Sequence, residues 1–236
     1  MKDRVREFKC QKCGHCCRVF GNISNCLPLW EWEVNRLKEL AKQKRISFNV
    51  KPVDLVFDKR TNLAVCVHYW LDAPCPFLIN NECSIYEKRP LVCKGFPMVN
   101  NPFFSGKTFD LNIGDCNAFT FDEFKLAIKG NIENTITQLP KQEIAEKYKK
   151  FFGEEIFINS FIIEQIKAYI DMMMKDLIQN KKVKLRKISK LDYKKHNPIP
   201  FFEFLKLKGI MTTEEKIETI EFLINYNKIK EKLIEK

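Results

Sequence analysis

The sequence predicts an α+β protein with a cysteine-rich N-terminal domain of short strands and a mainly helical C-terminal region. Two observations carry this prediction. All ten cysteines lie in the first 116 of 236 residues. Short apolar runs broken by turn residues fill the first half, whereas helix-capping signals mark the second half. We therefore expect one domain over 1–119 and a second over 120–236.

In the first half, the apolar spacing predicts a helix over 31–43 and two strands over 46–57 and 62–70. A hairpin is expected further along at Asn80-Asn81, because asparagine tolerates the positive φ of a tight turn. Ser84 and Glu87 have the spacing of a capping box, which predicts a short helical turn after the hairpin.

In the second half, Thr120 and Glu123 form a capping box that predicts a helix reaching about residue 139. Further helices are expected over 142–152, which ends at a glycine, and over 161–178. Thr212 and Glu215 form another capping box, which predicts a final helix. Five apolar side chains of that helix are expected on or near its inner face: Ile217, Ile220, Phe222, Leu223 and Ile224.

Composition limits the class of protein. The chain is 45% hydrophobic and 30% charged, as in ordinary globular proteins, and it has no apolar run of membrane-helix length. No signal peptide is recognised at the start, so we expect a cytoplasmic location. Thiols stay reduced there, and a cysteine cluster then indicates metal binding or catalysis more often than disulfides.

The net charge of +11 raises the question of nucleic acid. The excess is spread over both halves, +6 in residues 1–120 and +5 in residues 121–236. One stretch, 181–195, has eight basic residues and a single acidic one. Such a run is usually a solvated surface, so a nucleic-acid partner is not expected.

The strongest signal is the run Cys10-x-x-Cys13-x-x-Cys16-Cys17. Two-residue gaps let the chain turn so that successive sulfurs face one centre, and Gly14 suits that turn because it lacks a Cβ. Neighbouring side chains point in different directions. Cys16 or Cys17 is therefore expected to serve a second centre or to remain a free thiol.

A second group of cysteines supplies further ligands: Cys75, Cys83, Cys93 and Cys116. A hairpin followed by a helical turn would return Cys93 to the neighbourhood of Cys75 and Cys83. A disulfide framework remains an alternative for these ten cysteines, although a bond between adjacent cysteines closes a strained ring.

The combined spacing resembles the YkgJ-type CxxCxxCC family, whose members are described as zinc- or iron-chelating. The residues that carry the resemblance lie within 8–118: the first run, Cys75-Pro76-Phe77-Leu78, and Cys83-x-Ile85-Tyr86-Glu87-x-Arg89-Pro90-x-x-Cys93-x-x-Phe96-Pro97. The pattern also recurs in flagellin lysine N-methylases. Lys94, where arginine is expected, and Asn81-Glu82, where a glycine commonly precedes the cysteine, depart from it.

The resemblance implies a set of eight metal ligands: Cys10, Cys13, Cys16, Cys17, Cys75, Cys83, Cys93 and Cys116. Cys26 and Cys66 are extra, and we expect them to be small buried residues. His15 is either a ligand or a donor to sulfur, or it has no role in the site. We expect Arg89 to pair with a carboxylate or to hold an anion.

Two cofactors fit this pattern. The C-x₂-C-x₂-C run and the remote Cys75-Pro76 favour a [4Fe–4S] iron–sulfur cluster, whereas four thiolates also suit tetrahedral zinc. Three functions follow as hypotheses: an enzyme that modifies protein lysines, a structural zinc module that binds a partner protein or RNA, and an electron-transfer protein. The sequence indicates no oligomeric state.

Overall fold

The computed structural model describes residues 7–19, 26–98, 116–129, 141–187 and 197–234. This part of the chain is a mixture of helices and mainly antiparallel strands, so the predicted α+β class is confirmed. Its helices are α1 His15–Val19, α2 Glu31–Lys44, α3 Leu91–Gly95, α4 Phe121–Lys129, α5 Lys141–Phe152, α6 Glu154–Gln179, α7 Phe201–Leu207, α8 Thr213–Ile224 and α9 Tyr226–Ile234. Its strands are β1 Cys26–Leu29, β2 Lys51–Asp58, β3 Leu63–Asp72, β4 Leu78–Ile79, β5 Glu82–Cys83, β6 Leu185–Lys187 and β7 Ile199–Pro200, and a 3₁₀ turn covers Tyr86–Lys88.

The chain forms two compact units, each built from separate stretches of sequence. The first, which we call the cysteine unit, comprises Met1–Asn25, Ala73–Glu164 and Tyr226–Lys236. The second, which we call the sheet unit, comprises Cys26–Asp72 and Gln165–Asn225. The domain boundary at residue 120 stays a prediction.

The sheet unit is organised around β3. Strand β2 pairs with β3 antiparallel over nearly its whole length, and β6 extends the sheet beyond β2. On the other edge of β3, β1 pairs antiparallel near its end and β7 pairs parallel at Val65 and Cys66. The predicted hairpin of long strands is therefore present. Residues 46–50, however, precede β2 and are not part of it.

The core of the sheet unit comes from residues that alternate along the strands and from the apolar faces of α2 and α7. Because a strand presents successive side chains to opposite faces, Val53 and Leu55 of β2 lie on one face and are both buried. Other buried side chains of the sheet unit are Val34, Leu37, Ala64, Val65, Phe201, Phe202, Phe204 and Leu205.

One fully buried charge, the carboxylate of Asp58, ends β2. It is 0% exposed. It accepts hydrogen bonds from Thr61 Oγ1 at 2.7 Å, Lys184 N at 3.0 Å, Arg60 N at 3.2 Å and Lys208 Nζ at 3.3 Å. Burial acts to raise the pKa of Asp58, but these hydrogen bonds outweigh it, and the pKa lies below its ordinary value.

In the cysteine unit, α4 and α5 pack around an aromatic cluster. The predicted capping box is confirmed, because Glu123 N donates to Thr120 Oγ1 at 3.1 Å and Thr120 N donates to Glu123 Oε2 at 2.6 Å. The helix is described as far as Lys129, and the rest of its predicted length lies outside the described residues. The buried members of the cluster are Met98, Phe124, Ile144, Ala145, Tyr148, Phe151, Phe152 and Phe157.

Helix α5 ends as predicted at Gly153, whose φ is +88°. Helix α6 begins at Glu154, seven residues before its predicted start. The start was misplaced because two polar residues, Asn159 and Ser160, interrupt the spacing of apolar residues from which the helix was predicted. They are buried because their side chains donate to Glu155 O at 2.7 Å and Phe157 O at 2.8 Å of the same helix.

The capping box of Thr212 and Glu215 is confirmed by two hydrogen bonds, of 2.7 Å and 3.1 Å. The inner face predicted for α8 was partly wrong. Leu223 is buried, but Ile217 is 51% exposed and Phe222 is 48% exposed. None of the described helices combines the length and the apolar character that crossing a membrane requires.

Candidate metal centre

The cysteine loop turns at Gly14, as the sequence predicts. Gly14 is buried with a φ of +71°, and a Cβ there would lie 2.9 Å from both Asn81 O and Leu78 Cδ1. Only a residue without a Cβ can combine this conformation with so close an approach to the hairpin. The turn places Cys10 and Cys13 before it and starts α1, which carries Cys16 and Cys17, directly after it.

One backbone hydrogen bond and one side chain, that of Arg18, fix this loop against the β4–β5 hairpin and the residues that precede it. Cys75 N donates to Cys17 O at 2.7 Å. Arg18 donates from Nη1 to Cys13 O at 3.3 Å and from Nη2 to Asn81 Oδ1 at 2.6 Å. The hairpin itself turns at Asn80-Asn81, both with positive φ, which confirms the predicted turn. The spacing of the cysteines does not indicate a role for Arg18, which is therefore absent from the predicted site residues.

Three thiols from the loop and the hairpin form a chain of hydrogen bonds. Cys16 donates to Cys17, and Cys17 donates to Cys75. The hydrogen bond to Cys17, together with burial, raises the pKa of Cys16 far above its ordinary value. The hydrogen bond from Cys16 lowers the pKa of Cys17, but the bond to Cys75 and burial outweigh it and raise that pKa to about 12. The two adjacent thiols are therefore hydrogen-bonded to each other, and the expectation that one of them serves a second centre or remains free stays a prediction.

Further thiols are linked to this chain electrostatically. Burial raises the pKa of Cys83 and the nearby Cys16 adds to that rise, although a backbone hydrogen bond from Ile85 and the charge of Arg89 act in the opposite direction. Burial likewise raises the pKa of Cys116, and the neighbouring cysteines Cys16, Cys10 and Cys13 add to that rise. Seven of the eight predicted ligands thus belong to one electrostatically linked group. The eighth, Cys93, is half-buried on α3.

The predicted capping box of Ser84 and Glu87 was wrong. The turn it should open is present as the 3₁₀ turn Tyr86–Lys88, but its N-cap is Ile85 and it has no side-chain cap. Ser84 Oγ is buried without a hydrogen-bond partner among the described residues. The backbone of Ser84 instead extends the hairpin, with its N–H donating to Phe77 O at 2.9 Å.

A pair of cations lies over Tyr86, beside the cysteines. Arg89 stacks on the ring with its Cζ 3.9 Å from the centroid, and Lys12 Nζ lies 4.5 Å from the same centroid. Arg89 also pairs with Glu155 at 3.0 Å, which confirms the predicted carboxylate partner. Metal–thiolate centres carry net negative charge, and cations close by stabilise that charge.

The two extra cysteines are not part of this group as far as they are described. Cys66 is 1% exposed on β3 in the sheet unit, as predicted for a buried residue. Burial raises its pKa to about 11, although the hydrogen bond that Tyr69 donates to it acts in the opposite direction. The side chain of Cys26 lies outside the described residues.

The donor set fits a thiophilic metal. Nine of the described cysteines are thiols rather than disulfides: Cys10, Cys13, Cys16, Cys17, Cys66, Cys75, Cys83, Cys93 and Cys116. Within the described ranges, His15 Nε2 and Ser84 Oγ are buried polar atoms without a partner, and each residue is a sequence neighbour of a predicted ligand. Thiolate sulfur and imidazole nitrogen are the usual ligands of zinc and of iron–sulfur clusters.

No group of three or more His, Cys, Asp or Glu side chains within the described ranges is arranged to hold a metal ion. The assignment of the eight cysteines as ligands therefore stays a prediction. What the described residues establish is that thiols distant in sequence lie near one another.

Comparison with known proteins gives one match. Residues 9–118 match the model of the CxxCxxCC family, described as a putative zinc- or iron-chelating domain. No curated protein and no solved structure matches the chain. The matched residues include all eight predicted ligands, which confirms the family suspected from their spacing. Over residues 9–118 this chain is therefore similar to the CxxCxxCC family.

Proposed function

We propose that the cysteine unit holds a [4Fe–4S] iron–sulfur cluster, with zinc as the alternative occupant, and that the ligands come from the eight predicted cysteines. The observation that carries this proposal is the contact between the cysteine loop and the segment that leads into the β4–β5 hairpin, where Cys75 N donates to Cys17 O at 2.7 Å. The raised pKa values of Cys16, Cys17, Cys83 and Cys116, to which neighbouring thiols contribute, support it. Thiols that raise one another's pKa are costly to ionise together unless a cation neutralises them.

Iron–sulfur is favoured over zinc by the spacing of the cysteines. The C-x₂-C-x₂-C run and the remote Cys75-Pro76 have the spacing of iron–sulfur cluster ligands. Zinc sites typically pair two C-x₂-C stretches, and only the first run of this chain has that spacing.

Elemental analysis of the full chain, purified without oxygen, tests the proposal. We expect iron and acid-labile sulfide in equal amounts, with visible absorbance from sulfur-to-iron charge transfer. Cys16→Ser should lower the iron content, because Cys16 is central to the linked group, whereas Cys66→Ala should leave it unchanged. A colourless protein with stoichiometric zinc would mean that the site binds zinc rather than an iron–sulfur cluster. A protein with neither metal would refute metal binding.

The finer proposal is that the centre belongs to an enzyme that modifies protein lysines. Its support is the resemblance to flagellin lysine N-methylases, and its partner would be a protein substrate. The metal-loaded chain, incubated with a labelled methyl donor and a lysine-rich protein, should transfer label to lysine. Reversible reduction of the centre without any transfer would favour electron transport instead. A zinc centre without either activity would favour a structural module for a partner protein.

The proposal also concerns the compartment. Thiols with raised pKa values remain available to a metal only where oxidation does not convert them to disulfides. We therefore expect the protein in the cytoplasm, which fractionation of cells with an antibody against the chain would test.

A further inference from the structure

The cysteine loop holds one candidate ligand that is not a cysteine. His15 lies between Gly14 and Cys16 and is the first residue of α1. The turn at Gly14 brings the chain against the β4–β5 hairpin, and the side chain of His15, directly before Cys16 in sequence, is half-buried. Its place in the loop does not follow from the cysteine spacing.

One atom of this side chain sets it apart. His15 Nε2 is buried and has no hydrogen-bond partner among the described residues. A buried polar atom without a partner destabilises the folded state, and native proteins rarely tolerate one without a reason. Neighbouring thiols make hydrogen bonds with one another, from Cys16 to Cys17 and on to Cys75, and none of these bonds includes the imidazole.

A neutral imidazole has two ring nitrogens, one a donor and the other a bare acceptor. The acceptor nitrogen is among the commonest metal ligands in proteins. Binding of a metal by Nε2 would satisfy this atom, which none of the hydrogen bonds among the thiols does. It would also add a neutral ligand to a centre whose other ligands are all negative, and replacement of thiolate by imidazole raises the reduction potential of an iron–sulfur centre.

We propose that His15 is a ligand of the metal centre through Nε2, so that the centre has a mixed thiolate and imidazole shell. This inference rests on the proposed function, because it requires a metal in the cysteine unit. It does not depend on whether that metal is iron or zinc, since both accept imidazole beside thiolate.

X-ray absorption at the edge of the bound metal tests the inference, because imidazole rings give a scattering pattern that sulfur does not. The chain contains three histidines, His15, His68 and His196, and should be prepared without a histidine tag. We expect one imidazole per centre in the natural sequence and none in His15→Ala. The double variant His68→Gln with His196→Gln leaves His15 as the only histidine, and we expect it to keep the imidazole signal.

The double variant keeps the test decisive if His15→Ala loses the metal altogether. Persistence of imidazole scattering in His15→Ala, its loss in the double variant, or an all-sulfur shell in the natural sequence would each overturn the inference. An all-sulfur shell would leave the proposed function intact. Absence of metal from the natural protein would refute both the inference about His15 and the proposed function.

Discussion

The two units treat their buried polar groups differently. In the sheet unit, the carboxylate of Asp58 is fully buried and accepts four hydrogen bonds from the surrounding chain. In the cysteine unit, His15 Nε2 and Ser84 Oγ are buried without a partner among the described residues, beside thiols that raise one another's pKa. The sheet unit also has one such atom, Trp30 Nε1, but this is a neutral donor far in sequence from other orphaned groups. The sheet unit stabilises its buried charge with its own donors, whereas in the cysteine unit the proposed metal would supply the missing partners.

The largest expected effect is loss of the metal. Structural metal sites contribute about 10–16 kcal/mol of binding free energy, as much as the whole stability of a typical domain. A chelator should therefore abolish protection of the α1 and β4–β5 amides against hydrogen exchange, while β2 and β3 stay protected. Tryptophan fluorescence is the control. It should not change when the metal is removed, because Trp30, Trp32 and Trp70 all lie in the sheet unit. Equal loss of protection in both units would contradict the comparison.

The next effect belongs to the sheet unit. Asp58→Ala removes the acceptor of four donors and leaves Lys208 without its partner, so we expect the free energy of unfolding to fall by about 3 kcal/mol. The matched control is Asp72→Ala, which breaks an ion pair with Lys51 whose side chains are both more than half exposed. That change should cost less than about 1 kcal/mol. Denaturant titration measures both, and similar losses would mean that the Asp58 network adds little.

Gly14→Ala should have a smaller effect, located in the cysteine unit. Positive φ costs a residue with a Cβ about 1–2 kcal/mol, and here the Cβ would also lie 2.9 Å from a backbone oxygen. Gly153→Ala is the matched control, because Gly153 also has positive φ but has nothing within 4 Å of its Cβ position. We expect Gly14→Ala to lower metal content and stability more than Gly153→Ala. Equal effects would show that the approach to the hairpin is not tight.

The smallest predicted effect is a dependence on pH. The pKa of Asp58 is lowered in the folded state, so its ionised form is stabilised by folding. The natural protein should therefore be more stable than Asp58→Asn above about pH 5, and this advantage should shrink as the pH falls below about 4. Unfolding free energies measured for both proteins across this range test the sign. If the stability advantage of the natural protein over Asp58→Asn grew as the pH fell, the hydrogen bonds to Asp58 would not be stabilising its ionised form.

Local signals in the sequence were reliable where one short stretch determines the structure. The capping boxes at Thr120 and Thr212 and the turn at Asn80-Asn81 are present because each satisfies its own backbone within a few residues. The box at Ser84 failed because the backbone of that residue extends a hairpin instead. A four-residue pattern does not reveal such competition.

Pairings between distant stretches were not predictable. Strands β6 and β7 have three and two residues, too few to show alternation, and they join a sheet formed by residues more than 120 positions earlier. In the candidate site, the spacing of the cysteines predicted the tight turn at Gly14 and the similarity to the CxxCxxCC family. Both predictions depend only on short stretches of chain. The spacing could not predict that Cys16 and Cys17 face the same neighbours, or that Arg18 joins the loop to the hairpin, since these depend on the fold.

Differential alkylation of the cysteines tests the central claim, that thiols from distant stretches share one metal centre, most directly. Cys10 and Cys13 are exposed, so without metal they should react quickly, whereas the buried Cys66 should resist throughout. In the metal-loaded protein we predict that all eight predicted ligands resist alkylation, and that a chelator makes them reactive together. Alkylation of Cys10 and Cys13 at the same rate before and after metal removal, with the metal still bound, would contradict the account.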